Sequence, residues 1–177
     1  MQEQVHVEPM QPASAATSTS VHPPRKLAYM EQGCEMTLRE GLDEYYTQIE
    51  GLITEDNADS EVAALFHHHD ICHVLFGCDT SLPGETLADT WAMSGTDVTL
   101  SQYMQYFKLQ ETKDILGELA TWNAFKTFLS SFHLMPRAWW RARKMTKKWP
   151  FMENDAYLDT PLRELRESFN IEVLQVN

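Results

Sequence analysis

The apolar positions of residues 61–77 recur at steps of three and four, which is the period of one face of an α-helix. The positions on this face are Val62, Leu65, Phe66, Cys72 and Phe76. His69 and His73 fall on the same face, one turn apart, where apolar side chains would be expected. The pattern therefore predicts a core helix that carries two histidines pointing inward together.

Similar periodicities predict further helices, whereas no stretch alternates apolar and polar residues as a strand would. Together with the first, the predicted helices are 38–52, 61–77, 85–95, 98–107, 112–135 and 161–169. Thr96 and Asp97 are a start signal, Pro136 is expected to end the long apolar helix, and Pro161 falls in the first turn of the last one. The predicted fold class is all-α, a single compact bundle of about six helices.

The composition predicts one domain after a disordered tail and argues against two classes of protein, nucleic-acid-binding proteins and proteins that span a membrane. Residues 1–24 contain too few large apolar side chains to offset the entropy of ordering them, so a disordered tail is predicted before one domain at 25–177. Acidic residues outnumber basic ones by 26 to 14, which argues against nucleic-acid binding as the main activity. The three cysteines lack paired spacing and are predicted to be reduced thiols, and no apolar run is long enough to predict a membrane span.

The two inward-facing histidines need polar partners, and a metal ion is one way to provide them. Imidazoles at i and i+4 can converge on one ion, and Asp70 is either a further ligand or the carboxylate that orients a histidine. Gly77 is expected to end the helix, and Pro83 and Gly84 to form a loop after which Glu85 begins a second helix and folds back. The alternative is that each histidine is hydrogen-bonded in or near the core without a metal.

Two histidines and a carboxylate would leave coordination positions open, as a catalytic ion requires. Zinc is the first choice of metal, and iron and magnesium are the alternatives.

The neighbouring His67 and His68 lie about 200° and 100° back around the helix from His69, so a solvated or incidental role is predicted for them.

The order His69-Asp70, two residues, His73, eleven residues and Glu85 resembles the signature of the fourth of the numbered coenzyme Q (ubiquinone) biosynthesis proteins, the Coq-four family. A segment near the end of the chain, 161–171, is similar to the C-terminal helix of that family, and the resemblance covers about 38–171. The sequence departs from the family after Glu85: 88–92 reads Ala-Asp-Thr-Trp-Ala, where the family has a Lys-Trp pair and an acidic residue.

The resemblance implies a metal-dependent protein of ubiquinone biosynthesis that acts on the C1 carboxyl of a polyprenylated benzoate-type ring, replacing it with a hydroxyl group. The implied catalytic and metal-binding residues are His69, Asp70, His73 and Glu85. The isoprenoid tail of such a quinone precursor would need an apolar channel, for which the candidates are Trp122, Phe125 and Phe128. Other quinone-biosynthesis enzymes are the implied protein partners, an oligomer is compatible with this interpretation, and the lack of an Arg-rich leader favours a cytoplasmic, bacterial form.

Two other functions stay open. A non-catalytic scaffold could use the metal to order two helices and bind the prenyl lipid. A phosphohydrolase with a His-Asp metal site ranks last, because it needs a further upstream histidine and the only ones, His6 and His22, lie in the predicted tail.

The segment 136–149 carries six of the fourteen basic residues together with Trp139, Trp140 and Trp149. One interpretation is that it contacts an anionic membrane surface from the inner face, with aromatic rings at the headgroups and cations at the phosphates. The alternative is that the cations pair with the chain's own carboxylates while the tryptophans pack inside. Arg137 and Arg141 are in addition candidate ligands for a phosphate group on a polyprenyl substrate.

Overall fold

The computed structural model describes residues 27–47, 60–104 and 132–174, with side chains of the second range described from Ala64 onward. The described part contains the α-helices α1 (Leu38–Tyr46), α2 (Ser60–Phe76), α3 (Leu82–Gly95), α4 (Leu134–Ala142) and α5 (Leu162–Phe169). Two 3-10 turns, Ala28–Met30 and Asp155–Tyr157, and a helical segment at 100–104 complete it. These ranges contain isolated bridges but no strand, which confirms the all-α prediction with about six helices. The predicted tail at 1–24 and most of the predicted helix 112–135 lie outside the described residues.

Helix α2 packs against more of the described elements than any other helix does. It contacts α1, α3, α5 and the first 3-10 turn. Residues 71–76 are all buried, so the last turns of the helix are enclosed on every side and not only on the predicted apolar face. The predicted core position of Cys72 is confirmed.

The end of α2 is set by Gly77, as predicted. Its φ of +68° is in the left-handed region that glycine adopts without steric cost. A Cβ at this position would lie 2.6 Å from Cγ1 of Val173, so the approach of the C-terminal segment also requires glycine. Beyond it, the Cys78 amide donates to the carbonyl of His73 at 2.8 Å and closes the last turn.

Arg166 of α5 is fully buried and binds this same end of α2. Its guanidinium donates to the carbonyls of Val74 and Leu75, both at 2.9 Å, and to the carbonyls of Tyr29 and Glu31. A cation is favourable at a helix C-terminus because the last carbonyls have no partner within the helix. Burial lowers the pKa of Arg166 to about 10, which leaves the side chain charged at neutral pH.

The start of α3 differs from the prediction. Ser81 is the N-cap, its hydroxyl accepting from the Gly84 amide at 3.2 Å, so Pro83 and Gly84 are in the first turn of the helix and not in a loop. Proline is suited to a first turn because its missing N–H has no partner to lose there. The helix ends at Gly95, as predicted, and its Trp91 ring stacks on Phe76 of α2 with centroids 4.5 Å apart.

Three other predicted boundaries were wrong by a few residues. Thr99, not Thr96 or Asp97, caps the next helix, because its hydroxyl accepts from the Gln102 amide. Pro136 does not end a helix; it is the third residue of α4, within the first turn. Pro161 occupies the N-cap position of α5, one residue before the first turn. Among the described residues, no helix is both long and apolar enough to cross a bilayer.

Candidate metal centre

His69 and His73 lie one turn apart on the buried part of α2, as their spacing predicts. Their exposed fractions are 3% and 1%, and their ring centroids are 4.8 Å apart. The ring of Tyr45 from α1 packs 5.2 Å from that of His73. The two imidazoles are therefore fixed by packing and are positioned to act together.

Glu85 meets these histidines from the first turn of α3. Its Oε2 lies 3.3 Å from Nε2 of His73. One donor atom from each of His69, His73 and Glu85 can be chosen so that all three lie within 4.8 Å of one another. The predicted return of the chain after α2 thus places Glu85 beside both imidazoles.

Asp89 is a fourth polar residue at this place, and sequence reasoning missed it. Its Oδ1 lies 3.2 Å from Nε2 of His69 and accepts a hydrogen bond from the hydroxyl of Tyr103. Asp89 follows Glu85 by four residues, so both carboxylates project from one side of α3. That spacing, which matches the spacing of the two histidines on α2, is the signal that could have identified it.

The pair of His73 and Glu85 is strongly coupled. Burial opposes protonation of His73, but the carboxylate of Glu85, with help from Asp70 and Asp89, outweighs it and raises the pKa of His73 to about 9. Burial acts to raise the pKa of Glu85, and the charges of His73 and His69 reverse this and hold it below its usual range. The pair therefore resembles an imidazolium and a carboxylate when no metal is bound.

Asp70 does not belong to the group of donor atoms formed by His69, His73 and Glu85. Its Oδ1 accepts from the hydroxyl of Tyr45 at 3.3 Å. Burial raises the pKa of Asp70 in spite of the neighbouring histidines. Asp70 therefore contacts Tyr45, whose ring packs on His73, and its predicted role as a ligand or as the carboxylate that orients a histidine stays a prediction.

A solvated or incidental role was predicted for His67 and His68, and the solvated alternative was wrong for His68. His68 is buried, its Nδ1 lies 3.1 Å from Nδ2 of Asn154, and its ring packs on Phe151. Burial lowers the pKa of His68, which keeps the ring neutral near pH 7. His67 is partly buried, with the hydroxyl of Tyr46 3.1 Å from its Nδ1.

The donor set fits a divalent transition metal. Neutral imidazole and carboxylate are the ligands of catalytic zinc and non-haem iron sites, and three protein donors leave positions open for water or substrate. His73 also has an Nδ1 that is buried and has no hydrogen-bond partner among the described residues. Such a nitrogen is costly to leave unpaired, so this histidine is not fully explained as a hydrogen-bonded core residue.

The other predicted binding residues are separate from this group. Trp122, Phe125 and Phe128 lie outside the described residues. Arg141 of α4 donates to the carbonyls of Glu172 and Val173, which ties it to the C-terminal segment. With Arg137 it lines a shallow cleft of about 480 Å³ that also includes Pro136, Trp140, Lys144 and Glu172.

For the segment 136–149, two arrangements were predicted: exposed tryptophans beside cations, or tryptophans packed inside. The structure contains both. Trp149 is fully buried, whereas Trp139 and Trp140 are 49% and 63% exposed. Arg143 lies over the ring of Trp139 at 4.2 Å, and Lys148 donates to the carbonyl of Ser94. One tryptophan is therefore part of the core, and the other two form an aromatic surface next to cations.

Comparison with known proteins gave no match: no protein-family model, no curated protein and no solved structure is similar enough to this chain to assign it to a family.

Proposed function

We propose that this chain is a metal-dependent enzyme of ubiquinone biosynthesis that acts on the C1 carboxyl of a polyprenylated benzoate-type ring. The observation that carries the proposal is the meeting of His69, His73 and Glu85 within 4.8 Å, from two helices that the motif spacing had related. The substrate class comes from the resemblance of that spacing to the Coq-four family.

His69, His73 and Glu85 would hold the divalent ion, with zinc as the first candidate and iron and magnesium as alternatives. A bound ion of this kind supplies Lewis acidity toward a carboxylate or phenolic oxygen. The buried imidazoles would hold the ion in a fixed position. The Glu85 side chain is 34% exposed, so the ion would be accessible from its side. A substrate carboxylate would therefore approach from the side of α3. Tyr45 packs against the His73 ring, and its hydroxyl donates to Asp70, which restrains the tyrosine in that position.

The enzymatic proposal is tested by carbon dioxide release. Purified protein, stripped of metal and reloaded with zinc or iron, is incubated with a prenylated hydroxybenzoate. Replacement of the carboxyl by a hydroxyl group is a two-electron oxidation, which balances when one dioxygen and one water are consumed and carbon dioxide and hydrogen peroxide are formed. Dioxygen is therefore supplied as the oxidant, and its uptake and the peroxide are followed together with the carbon dioxide. We expect metal-dependent release that is abolished when His69→Ala and His73→Ala are combined. Release that survives the double substitution would exclude the metal-centred enzyme.

A non-catalytic scaffold that binds prenyl lipids is the second candidate. It is favoured by the cleft beside Trp140, where an aromatic ring and the cations Arg137 and Lys144 surround one opening. Protein that binds the metal and co-purifies with lipid, but releases no carbon dioxide, would support this function over the enzyme.

We also propose that the 136–149 segment attaches the protein peripherally to an anionic membrane. It has six basic residues and no acidic one in a chain of net charge −12, next to the exposed Trp139 and Trp140. The protein should sediment with vesicles containing phosphatidylglycerol and much less with phosphatidylcholine alone. Combined Trp139→Ala and Trp140→Ala should weaken sedimentation, and Leu100→Ala, at a residue 63% exposed, should not. Equal sedimentation with both lipids would contradict the proposal.

A further inference from the structure

Two imidazole–carboxylate pairs lie side by side between α2 and α3. His73 faces Glu85 at 3.3 Å, and His69 faces Asp89 at 3.2 Å, in both cases through Nε2. The histidines are four residues apart, and so are the carboxylates. Because residue 69 pairs with 89 and residue 73 with 85, the two helices run in opposite directions past one another and the second pair repeats the first one turn away.

The separations within the pairs suit ligands that share an ion. Two donors bound to zinc at about 2.0–2.1 Å in a tetrahedral arrangement lie about 3.3 Å apart. The contacts of His73 with Glu85 and of His69 with Asp89 both have this length. Either pair could therefore form one edge of a coordination polyhedron with little change in position. Asp89 lies outside the group of three donors that are within 4.8 Å of one another, so an ion shared by all four residues would have to draw its carboxylate toward His73 and Glu85.

Charge balance also favours two carboxylates. A divalent ion between two neutral imidazoles and one carboxylate keeps a net charge of +1, and His69 and His73 are almost fully buried. An uncompensated charge beside the two buried imidazoles is unfavourable, because solvent reaches it only from the side of the partly exposed carboxylates. A second carboxylate makes the ion and its ligands neutral.

Tyr103 supports Asp89 in this position. The tyrosine is 2% exposed, and its hydroxyl donates to the same Oδ1 that faces His69. A hydrogen bond of this kind restricts the rotation of a ligating carboxylate and is a common feature of metal sites. Asp89 stands in the stretch 88–92, where the sequence departs from the Lys-Trp pattern of the family it resembles.

We propose that Asp89 is a fourth ligand of the ion, so that this chain binds its metal with two histidines and two carboxylates. The inference rests on the proposed metal site at His69, His73 and Glu85 and extends it. It predicts a site that differs from one with a single carboxylate in charge, and in which a substrate reaches a tetrahedral ion only as a fifth ligand or by displacing a carboxylate.

The test uses cobalt(II) as a spectroscopic probe of full-length, metal-stripped protein. A cysteine thiolate bound to cobalt gives an intense sulfur-to-metal charge-transfer band in the near ultraviolet, and a cysteine outside the coordination shell does not. We expect wild-type protein to bind one equivalent without this band and Asp89→Cys to bind with it. The matched control is Ser94→Cys, near the end of the same helix and outside the site, which should bind cobalt without the band.

A conservative substitution gives a second readout. Asp89→Asn keeps the size of the side chain and a group that can accept from Tyr103, and should raise the dissociation constant for cobalt by about 10–100-fold or more. Asp159→Asn, at an exposed carboxylate paired with Arg39, should leave it unchanged. Far-ultraviolet circular dichroism of the metal-free variants shows that the fold is kept.

The outcomes separate the two proposals. Wild-type protein that binds no cobalt would overturn both the metal site and the role of Asp89. Binding by wild type, with no charge-transfer band in Asp89→Cys and an unchanged dissociation constant in Asp89→Asn, would overturn the role of Asp89 alone.

Discussion

At the scale of single residues, the molecule keeps several polar side chains inside and gives most of them a defined partner. His73 is paired with Glu85, His69 with Asp89, and His68 with Asn154. Each pair joins two different segments of the chain, so the buried polar groups specify which segments meet. Removing one partner of such a pair lowers the free energy of unfolding by more than the intact pair contributes, because the other partner is left buried and unpaired.

The raised pKa of His73 predicts how the stability of metal-free protein depends on pH. The folded state holds its proton more tightly than the unfolded state, whose histidine pKa is about 6.5. The stabilisation is therefore complete below pH 6.5 and is lost as the pH rises through about 9. Denaturant unfolding of chelator-treated protein should show a falling free energy of unfolding over this window.

Two controls separate this effect from other titrations. Glu85→Gln removes the carboxylate that raises the pKa of His73, so the decline above pH 6.5 should largely disappear in that variant. Zinc-loaded protein should not show it either, because the ion replaces the proton and requires a neutral imidazole. The same decline in Glu85→Gln as in wild type would show that His73 is not its source.

The buried guanidinium of Arg166 is predicted to be essential for stability. Arg166→Met should lower the free energy of unfolding by about 3 kcal/mol or more, because it leaves four carbonyls without their charged donor. Arg163→Met, on the same helix but in exposed ion pairs with Glu35 and Glu167, should change it far less, because solvent screens such pairs. Equal losses in urea denaturation would contradict the role assigned to Arg166.

At the scale of elements, the site depends on the position of α3 relative to α2. The turn at Ser81 starts α3, and the stacking of Phe76 on Trp91 holds the two helices together. Glu85 lies in the first turn of α3 and Asp89 in the next, so a small displacement of this helix start would move both carboxylates.

Gly84 tests that dependence. A Cβ at this position would lie 2.1 Å from the carbonyl oxygen of Asp79, so Gly84→Ala must displace the turn that precedes Glu85. We expect a loss of about 1–3 kcal/mol in stability, together with weaker zinc binding. The control is Gly33→Ala, where nothing lies within 4 Å of the added Cβ and stability should be unchanged or slightly higher. Zinc affinity as in wild type for Gly84→Ala would contradict the argument.

Helix periodicity was sufficient to predict the all-α class and the pairing of His69 with His73, because both depend on positions within one helix. It also predicted the return of Glu85, since Gly77 ends α2 and few residues separate it from α3. Periodicity could not predict the partner of His68, and for His69 the four-residue spacing of Glu85 and Asp89 indicated only that Asp89 shares a helix face with Glu85. Asp89 is brought to His69 by the packing of two helices, and Asn154 reaches His68 from 86 positions along the chain.

At the scale of the whole molecule, charge is distributed unevenly. The chain carries a net charge of −12, yet 136–149 contains only basic charges. Within this segment, Trp149 packs in the core, whereas Trp139 and Trp140 of α4 are at the surface. Since α4 packs against α3, the surface proposed to contact lipid is next to the helix that carries Glu85 and Asp89.

The most direct test of the central claim is the binding stoichiometry of zinc to metal-stripped protein, measured by equilibrium dialysis with elemental analysis. The claim predicts one tightly bound zinc ion per chain, lost when His69→Ala and His73→Ala are combined and weakened by Glu85→Gln. Wild-type protein that retains no zinc, or a double variant that retains as much as wild type, would contradict the shared site between α2 and α3.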